Sequence, residues 1–445
     1  MRHDMQGANL VSLYDLILFS SCFLSIIQCV LSKMRFKHTS TNIIRSELSQ
    51  MRIVVSSYTA TSALGHGIDS IQESISSKRS GLRHNDLDNC DLDTWIGRVR
   101  SVESVVLPSH LVHLHSRNNQ LAWLGLQQDG FLTVLDQLVD QLGADRIGVV
   151  MGTSTSSIGR TEEAYAGMDT SGKMPGAYDQ PEVHNLHSQG IFVSRATGLK
   201  GPSMTISTAC SSSAKVFASA ARWIKYGLVD AVLVGGVDSL CLSVLYGFNS
   251  LELLSSHPCR PFDELRNGIS IGEAAGFAIL TKEHLAPRAE FALLGYGESS
   301  DAYHMSHPHP DGKGAVLAID QALERSKLAS TAIDYINLHG TASKANDLIE
   351  THALAQRFST KTLASSTKGW TGHTLGTAGI LEAIITLEAM KYDTAPGTLN
   401  CEKPDPEFKF PILKQNTKKT IRHAMTNSFG FGGNNAALIF GRIND

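Results

Sequence analysis

The sequence has almost no net charge and lacks any run of basic residues. Its 39 Lys and Arg are balanced by 42 Asp and Glu, which leaves a formal net charge of -3 over 445 residues. Proteins that bind nucleic acid carry clustered positive charge, often interleaved with aromatic side chains. No such patch is visible, so the sequence gives no reason to expect a nucleic-acid partner.

The sequence also lacks closely spaced cysteine pairs. Its seven cysteines are scattered and never form a CxxC motif: Cys22, Cys29, Cys90, Cys210, Cys241, Cys259 and Cys401. An odd, dispersed set argues against a disulfide framework and against a zinc ribbon. It favours a reducing compartment, and we expect a cytoplasmic protein.

The first fifty residues lack a clear targeting signal. The apolar segment Leu16 to Leu31 is short for a membrane span and contains Gln28. Its basic neighbours lie mostly on the wrong side for a secretory signal, and no small-residue cleavage site stands out. Three interpretations stay open: a weak membrane anchor, a signal, or an extension outside the fold with Met51 as the true start. In each case we expect residues 1–50 to lie outside the fold.

What the sequence does contain is enough apolar material for a large core, since 42% of its residues are hydrophobic. From Met51 onward, short β-branched runs alternate with amphipathic helical patterns. The predicted strands are Ile53 to Tyr58, Ile147 to Gly152, Ser203 to Ser207, Ala231 to Gly235, Gly276 to Thr281, Phe291 to Tyr296, Tyr335 to Leu338, Thr362 to Ser366 and Ala436 to Phe440. The predicted helices include Gly67 to Ser77, Ser116 to Gln127, Phe131 to Leu142, Ser211 to Tyr226, Gly314 to Ser326, Asp347 to Arg357 and Thr377 to Lys391.

This alternation predicts an α/β protein with a mostly parallel sheet that helices cover on both faces. A change of content near Leu294 to Ser300 predicts a boundary between two α/β halves. We therefore expect an N-terminal half over residues 51–295 and a C-terminal half over residues 296–445.

The segment Thr205 to Ala214 (TISTACSSSA) is the first candidate for chemistry. An apolar strand-like lead, a run of small residues and then a helical pattern place Cys210 at a strand-to-helix elbow. Unpaired N–H groups at a helix N-terminus favour a thiolate, which would make Cys210 a nucleophile. The alternative is a small buried cysteine in a packed turn.

Two histidine motifs follow predicted strands in the second half. His339 lies in NLHGTAS, with Asp347 and Glu350 in the next helix, and His373 lies in SSTKGWTGHTLGTAG, which also carries Lys368. Each histidine alone is compatible with a structural role. Together with Cys210, they predict a site at the carboxyl ends of the strands.

A glycine-rich segment, Asn427 to Asn435 (NSFGFGGNN), precedes the last strand. It is compatible with a simple hairpin corner. Its glycines would also permit a backbone N–H to approach the site closely, because glycine has no Cβ and adopts unusual φ values.

These motifs resemble the β-ketoacyl-acyl-carrier-protein synthases of the KAS I/II branch, in the thiolase superfamily. The resemblance rests on TACSSS at Cys210, HGT at His339, STKxxxGHTxGxAG at Lys368 and His373, and SFGFGGNN at Phe431, and it runs from about Met51 to Asp445. It implies a thiolase-like, five-layered αβαβα sandwich made of two similar halves. It also implies a homodimer, or a heterodimer with a related ketosynthase or chain-length factor, that works with acyl carrier protein.

The resemblance further implies a role for each matching residue. Cys210 would take the acyl chain, and its N–H and that of Phe431 would form the oxyanion hole. His339 and His373 would support decarboxylation of the malonyl thioester and condensation, because neutral Nε2–H donors can hold a developing enolate oxygen. The remaining implied residues are Lys368 paired with Glu350 to set the charge around the histidines, Thr341 and Ser343 as pantetheine contacts, Phe431 as a gate, and Asp301 and His304 in a gating loop.

No metal or cofactor is implied, because the substrates are carried on the phosphopantetheine arm of the carrier protein. A cluster of potential metal ligands lies close together in sequence, namely His304, His307, His309 and Asp311. Pro308 and Pro310 prevent these residues from lying on one face of a helix. We therefore expect a gating loop there rather than metal ligands.

Three departures from the family pattern leave the substrate open. Ser56 to Ala60 replaces a TGxG turn, Ser343 replaces a threonine, and Glu252 stands where KAS II-type relatives carry an arginine near the phosphopantetheine entrance. Elongation in fatty-acid synthesis is the expected function. The alternatives are a specialised ketosynthase of a polyketide or aryl-polyene pathway and a non-catalytic chain-length-factor-like subunit, against which the presence of Cys210 argues.

Overall fold

The computed structural model describes residues 51–443. The alternatives predicted for residues 1–50 therefore lie outside the described residues. Between residues 51 and 443, no helix combines the length and apolar character that a membrane crossing requires.

One extended sheet organises the described chain. Ten of its strands have three or more residues, and a two-residue strand, Gly65–His66, pairs with the first of them. The ten are β1 (Ile53–Ser62), β2 (Ile147–Gly152), β3 (Ser203–Ile206), β4 (Ala231–Asp238), β5 (Ala274–Lys282), β6 (Phe291–Ser300), β7 (Tyr335–Asn337), β8 (Leu363–Ser365), β9 (His423–Gly430) and β10 (Asn434–Arg442).

The strand order shows that the fold contains the same arrangement twice. The order across the sheet is β8-β7-β9-β10-β6-β1-β5-β4-β2-β3. In each half, the five strands taken in chain order are therefore arranged third, second, fourth, fifth, first. The halves join where β1 pairs antiparallel with β6, with Ile53 opposite Leu293.

The α-helices of more than four residues cover and separate these strands. They are α1 (Ile68–Ser76), α2 (Arg117–Leu126), α3 (Phe131–Leu142), α4 (Ile158–Ala166), α5 (Ser188–Thr197), α6 (Ser212–Lys225), α7 (Leu242–Ser250), α8 (Lys313–Ser326), α9 (Lys344–Ala355) and α10 (Ala378–Lys391). A single helical turn, Lys368–Thr371, lies between β8 and α10.

Helices α6 and α10 form the central layer. Both contact strands of both halves, and they also pack against each other. Every residue of α10 from Ala378 to Met390 is buried, as expected for a helix that is apolar on nearly all sides.

The pleat of β5 shows how the layers alternate. Ala275 and Phe277 face Gly125 of α2, whereas Gly276 between them faces Ile380 of α10. Helices α2 and α5 cover the outer face of the first half, and α8 covers that of the second. The strands of the two halves therefore form two β layers with α6 and α10 between them. Together with the outer helices, they make the five-layered αβαβα sandwich of two similar halves that the resemblance implies.

The predicted mostly parallel sheet is wrong. The parallel pairs are β2 with β3 and β4, and β7 with β8 and β9. The other pairings between the ten strands are antiparallel. The alternation of strands and helices does not by itself fix strand direction, and short connections such as that between β9 and β10 return the chain antiparallel.

The sequence prediction also missed four elements, namely β9, α4, α5 and α7. Strand β9 carries Thr426, Asn427 and Ser428, which are buried although they are polar. The boundary predicted between residues 295 and 296 lies inside β6, because the second set of five strands begins at Phe291.

The contact between α6 and α10 generates a stability prediction. A Cβ on Gly379 would lie 2.4 Å from the backbone nitrogen of Ala214, so Gly379→Ala forces the two central helices apart. We expect it to lower the free energy of unfolding by about 1–3 kcal/mol, the usual cost of overpacking. Gly247→Ala is the matched control, since Gly247 lies in α7 with open space around it. That change should be neutral or stabilise by up to about 1 kcal/mol through helix propensity. Urea denaturation measures both, and equal effects would contradict the packing argument.

Candidate active site

Cys210 lies in the turn between β3 and α6, where the sequence predicts it. Side-chain hydrogen bonds hold this turn: Ser212 Oγ accepts from the N–H of Thr208 at 2.9 Å and donates to the carbonyl of Ala209 at 2.6 Å. Ala209 has a φ of 51°, which is uncommon outside glycine. The turn leaves Cys210 only 6% exposed, at the inner end of a cavity.

Both histidines meet at the sulfur. His373 Nε2 lies 3.0 Å from Cys210 Sγ. The rings of His339 and His373 are 5.3 Å apart and nearly perpendicular. One ligand atom from each of the three residues lies within 4.8 Å of the others. The structure thus brings together three residues that are far apart in sequence.

The hydrogen bonds behind the two rings determine which nitrogen carries the proton. The N–H of Leu375 donates to His373 Nδ1 at 3.2 Å, and Lys368 Nζ lies 3.4 Å from His339 Nδ1. A neutral imidazole that accepts at Nδ1 carries its proton on Nε2. Burial, and then the charge of Lys368, lowers the pKa of both histidines well below 6.5. Both rings therefore present neutral Nε2–H donors to the cavity.

The same hydrogen bonds make the cluster unsuitable as a metal centre. A metal at Nε2 requires the proton on Nδ1 and an acceptor beside it. Here each Nδ1 faces a donor, and Lys368 adds a positive charge nearby. The histidines of the loop after β6 form a separate contact, in which His304 Nδ1 and His307 Nδ1 are 3.2 Å apart.

The prediction that Glu350 is the carboxylate partner of Lys368 is wrong. Lys368 forms its salt bridge with Glu382 of α10, not with Glu350. Its ammonium also donates to the carbonyl oxygen of His339 at 2.6 Å. Burial raises the pKa of Glu382 to about 7, against the charge of Lys368. Glu382 is buried in α10 and cannot reach solvent. The sequence marks it as the one acid in the otherwise apolar run ILEAII, residues 380–385.

Glu350 instead holds the turn that carries His339. Its two oxygens accept from the backbone N–H groups of His339 and Gly340, each at 2.8 Å. Asp347, one helical turn earlier, accepts from the N–H groups of Ala342 and Phe262. The two acids of α9 therefore act on the backbone around His339.

The buried surroundings of Cys210 oppose the resting thiolate that the sequence predicts. Burial raises the pKa of Cys210 to about 11, and it outweighs the opposing effects of Lys368 and of the N–H groups of Phe431 and Cys210 itself. The helix begins only at Ser212, so the sulfur lies before its first turn. The surrounding donors stabilise the sulfur anion once the proton has left.

The backbone after β9 approaches the cysteine closely. A Cβ on Gly430 would lie 3.0 Å from the backbone nitrogen of Cys210, so a larger residue would crowd the nucleophile turn. The N–H groups of Phe431 and Cys210 both act to lower the pKa of the sulfur. The ring of Phe431 lies against that of Phe248, with centroids 5.7 Å apart. Phe248 was not predicted, and no motif in the sequence singles it out.

The cavity above the sulfur has a volume of about 490 Å³. Cys210, His339, His373, Thr341, Ser343, Phe431 and Asp301 all line it, whereas His304 and Lys368 do not. The hydroxyls of Thr341 and Ser343 lie 2.9 Å apart on one wall. Glu252 also lines the cavity.

The loop after β6 is tied to the turn after β9. Asp301 accepts from Asn435 Nδ2 at 2.9 Å and from the N–H of His309 at 3.0 Å. The N–H of Gly432 donates to the carbonyl of Met305 at 2.7 Å. His304 is exposed in this loop. These contacts connect the two segments that the resemblance assigns to gating.

Comparison with known families and proteins gives a consistent result. Residues 50–286 match the model of the beta-ketoacyl synthase N-terminal domain, and residues 291–402 match that of the C-terminal domain. The mitochondrial 3-oxoacyl-[acyl-carrier-protein] synthase of Arabidopsis thaliana is 43% identical over 271 residues, an alignment that covers 56% of this chain and 59% of that protein. The 3-oxoacyl-[acyl-carrier-protein] synthase 2 of Vibrio harveyi is 30% identical over 89% of this chain and 100% of its own.

A solved structure extends the comparison to the fold. The ketosynthase ApeO, in complex with its chain length factor ApeC from Xenorhabdus doucetiae, superposes with a TM-score of 0.79. Its sequence is 36% identical, and the superposition covers 88% of this chain and 98% of that one.

The raised pKa of Cys210 predicts the pH dependence of its alkylation. Because only the thiolate reacts, the rate with iodoacetamide should rise about tenfold per pH unit from pH 7 to 9 without levelling. Peptide mass spectrometry follows Cys210, and an unstructured peptide with one cysteine, whose thiol pKa is about 8.5, is the reference. A plateau at Cys210 near pH 7 would contradict the effect of burial and restore the helix-terminus interpretation.

The buried salt bridge between Lys368 and Glu382 should contribute more to stability than an exposed salt bridge. Glu382→Gln leaves the ammonium of Lys368 buried without a counter-charge, which typically costs about 3–5 kcal/mol of unfolding free energy. Glu182→Gln is the control, because the pair of Glu182 with Arg195 is 42% exposed on both sides and should contribute no more than about 1 kcal/mol. Urea denaturation measures both, and a small loss in the first variant would show that Lys368 does not depend on Glu382.

Proposed function

Because this chain belongs to the beta-ketoacyl synthase family, we propose that it is a 3-oxoacyl-[acyl-carrier-protein] synthase of fatty-acid biosynthesis. It is an acyltransferase that joins an acyl thioester to malonyl-carrier protein by decarboxylative Claisen condensation. The observation that carries the proposal is the meeting of Cys210 with two neutral Nε2–H donors in one cavity. A nucleophile and oriented N–H groups are what acyl transfer and enolate stabilisation require.

The first step loads the acyl chain. Cys210 Sγ attacks the thioester carbonyl of the acyl-carrier protein, and the N–H groups of Cys210 and Phe431 hold the oxygen of the tetrahedral intermediate. The carbon–sulfur bond to pantetheine then breaks. The proton of the Cys210 thiol ends on the released pantetheine thiol, so the step is balanced.

The second step extends the chain. Malonyl thioester loses carbon dioxide, and the electron pair of the broken bond forms an enolate whose oxygen the two Nε2–H groups hold. The enolate carbon attacks the acyl group on Cys210, and the Cys210 thiolate leaves. A 3-oxoacyl thioester two carbons longer is released on the carrier protein. The low pKa of both histidines supports this role, because a neutral ring keeps its proton to donate.

The walls of the cavity receive the phosphopantetheine arm. Thr341 and Ser343 line it and present hydroxyls to the amide groups of pantetheine. Phe431 and the loop that carries Asp301 and His304 form the gate towards the acyl chain, through the contacts of Asp301 with Asn435 and of Gly432 with Met305. Lys368 and Glu350 act behind the histidines rather than on the substrate.

Acyl carrier protein is the partner that delivers both substrates, and a second ketosynthase-fold chain completes a homodimer or a heterodimer. A cytoplasmic location is supported by the free state of Cys90, Cys210, Cys241, Cys259 and Cys401, the cysteines of residues 51–443.

A specialised ketosynthase is the second candidate. The ketosynthase ApeO, whose structure is solved in complex with its chain length factor, is 36% identical to this chain. Glu252 lines the cavity at the position where KAS II-type relatives carry an arginine, which would alter recognition of the carrier. The chain-length-factor-like alternative is disfavoured, since Cys210 and both histidines are present and in contact.

Intact-mass spectrometry of the full chain tests the proposal. Incubation with a panel of acyl-carrier proteins should acylate Cys210, and malonyl-carrier protein should then remove the adduct as the longer 3-oxoacyl product forms. Cys210→Ala should abolish loading. His339→Ala and His373→Ala should retain some loading but lower condensation at least about 10²-fold, the typical cost of losing an oxyanion donor.

His66→Ala is the matched control, since His66 lies outside the cavity, and it should behave as wild type. The chain that loads best distinguishes ordinary elongation from a specialised pathway. Loading and condensation that both survive in the two histidine variants would refute the assigned roles. An absence of any adduct, even with a partner ketosynthase chain supplied, would favour the non-catalytic alternative.

A further inference from the structure

Asp238, at the end of β4, is a buried acid that lies outside the cavity of the site. One of its oxygens accepts from the hydroxyls of Thr153 and Thr155, each at 2.7 Å, and from the N–H groups of Ser154 at 3.1 Å and Thr155 at 3.0 Å. The other accepts from the hydroxyl of Thr377 at 3.3 Å. Asp238 therefore connects the turn after β2 to the turn before α10.

The turn before α10 is the one that orients His373. The N–H of Gly376 donates to Ser154 Oγ at 3.0 Å, and the N–H of the preceding residue, Leu375, donates to His373 Nδ1. Leu375 has a φ of 57°, a strained conformation for a residue with a side chain, and it persists only where neighbouring contacts hold it. The contacts at Gly376 and Thr377 are such restraints.

We propose that Asp238 is a positioning residue for the condensation step, acting through Ser154 and Thr377 to hold Leu375 so that the proton of His373 stays on Nε2. This inference rests on the proposed function of His373 as an Nε2–H donor. When the turn relaxes, Leu375 no longer donates to Nδ1 and the ring can carry its proton there instead. Nε2 of His373 is then unprotonated and cannot donate a hydrogen bond to an enolate oxygen.

Loading of Cys210 should depend on this network far less. In the proposed mechanism, the backbone N–H groups of Cys210 and Phe431 hold the oxygen of the loading intermediate, and these groups lie in other turns. Loss of the network therefore separates the two half-reactions, whereas a general loss of structure would slow both. The acid itself is required, because Oδ1 and Oδ2 of Asp238 face only donors. An amide would turn one acceptor into a donor at nearly constant volume.

Three variants test the network: Ser154→Ala, Thr377→Val and Asp238→Asn. Single-turnover loading from acyl-carrier protein and condensation of the preloaded enzyme with malonyl-carrier protein are measured separately. We expect condensation to fall about tenfold or more while loading stays within about twofold, a fraction of the 10²–10³-fold cost of removing an oxyanion donor outright. Thr377→Ser keeps the hydroxyl and should retain the wild-type rate.

Ser157→Ala is the matched control. Ser157 is a buried serine of the same segment, but its hydroxyl contacts Ser116 and Ser188 rather than the His373 turn. It should leave both half-reactions unchanged. Unchanged condensation in the three network variants would overturn the proposal, and so would a proportional loss of loading and condensation.

A second measurement is independent of activity. In histidine-selective ¹⁵N spectra, assigned by difference against His373→Gln, wild-type His373 should show an unprotonated Nδ1, and the network variants should show a protonated one. A wild-type enzyme that forms no 3-oxoacyl product would refute the proposed function but leave this measurement available. Identical histidine spectra in wild type and all three variants would refute the positioning role by itself.

Discussion

The site depends on two donors that sit behind the histidines. The N–H of Leu375 and the ammonium of Lys368 face the Nδ1 atoms, so both neutral rings must carry their protons on Nε2, towards Cys210. Burial and the charge of Lys368 keep the rings neutral. An isolated ammonium at this depth would be costly, and Glu382 supplies the counter-charge. The ion pair, the neutrality of the rings and the direction of their protons are thus parts of one constraint.

The repeated topology explains why residues so distant in sequence meet. Cys210 follows β3 and precedes α6, while His373 follows β8 and precedes α10, so the two occupy equivalent places in the two halves. Because α6 and α10 contact each other across the central layer, the segments at their N-termini converge. The turn of His339 after β7 likewise corresponds to the Ser154 turn after β2. In the proposed mechanism, the second half uses that place for His339, a donor to the substrate, and the first half uses it for Ser154, which supports the turn of His373.

Sequence reasoning located the chemistry better than the architecture around it. Cys210 lies at a strand-to-helix elbow, and His339 follows a strand. Both places can be predicted from the pattern of residues within one short segment. Strand direction, the polar strand β9 and the partner of Lys368 depend on contacts between distant segments, which spacing along the chain does not encode. The resemblance implies Glu350 as the partner of Lys368, yet the oxygens of Glu350 accept from the backbone N–H groups of His339 and Gly340. Glu382 pairs with Lys368 because α10 is buried from Ala378 to Met390, so the carboxylate cannot reach solvent and needs a buried counter-charge.

Burial has opposite consequences for the two kinds of group in the site, and at Cys210 it opposes the thiolate that the sequence predicts. Desolvation penalises whichever form is charged, so it keeps the histidines neutral but also keeps Cys210 protonated, with its pKa raised to about 11. A site optimised for a resting thiolate would be more exposed, but water would then compete for the Nε2–H groups. If the proposed mechanism holds, the burial of the site favours the condensation step, in which a carbanion must survive, over the ease of the first acyl transfer.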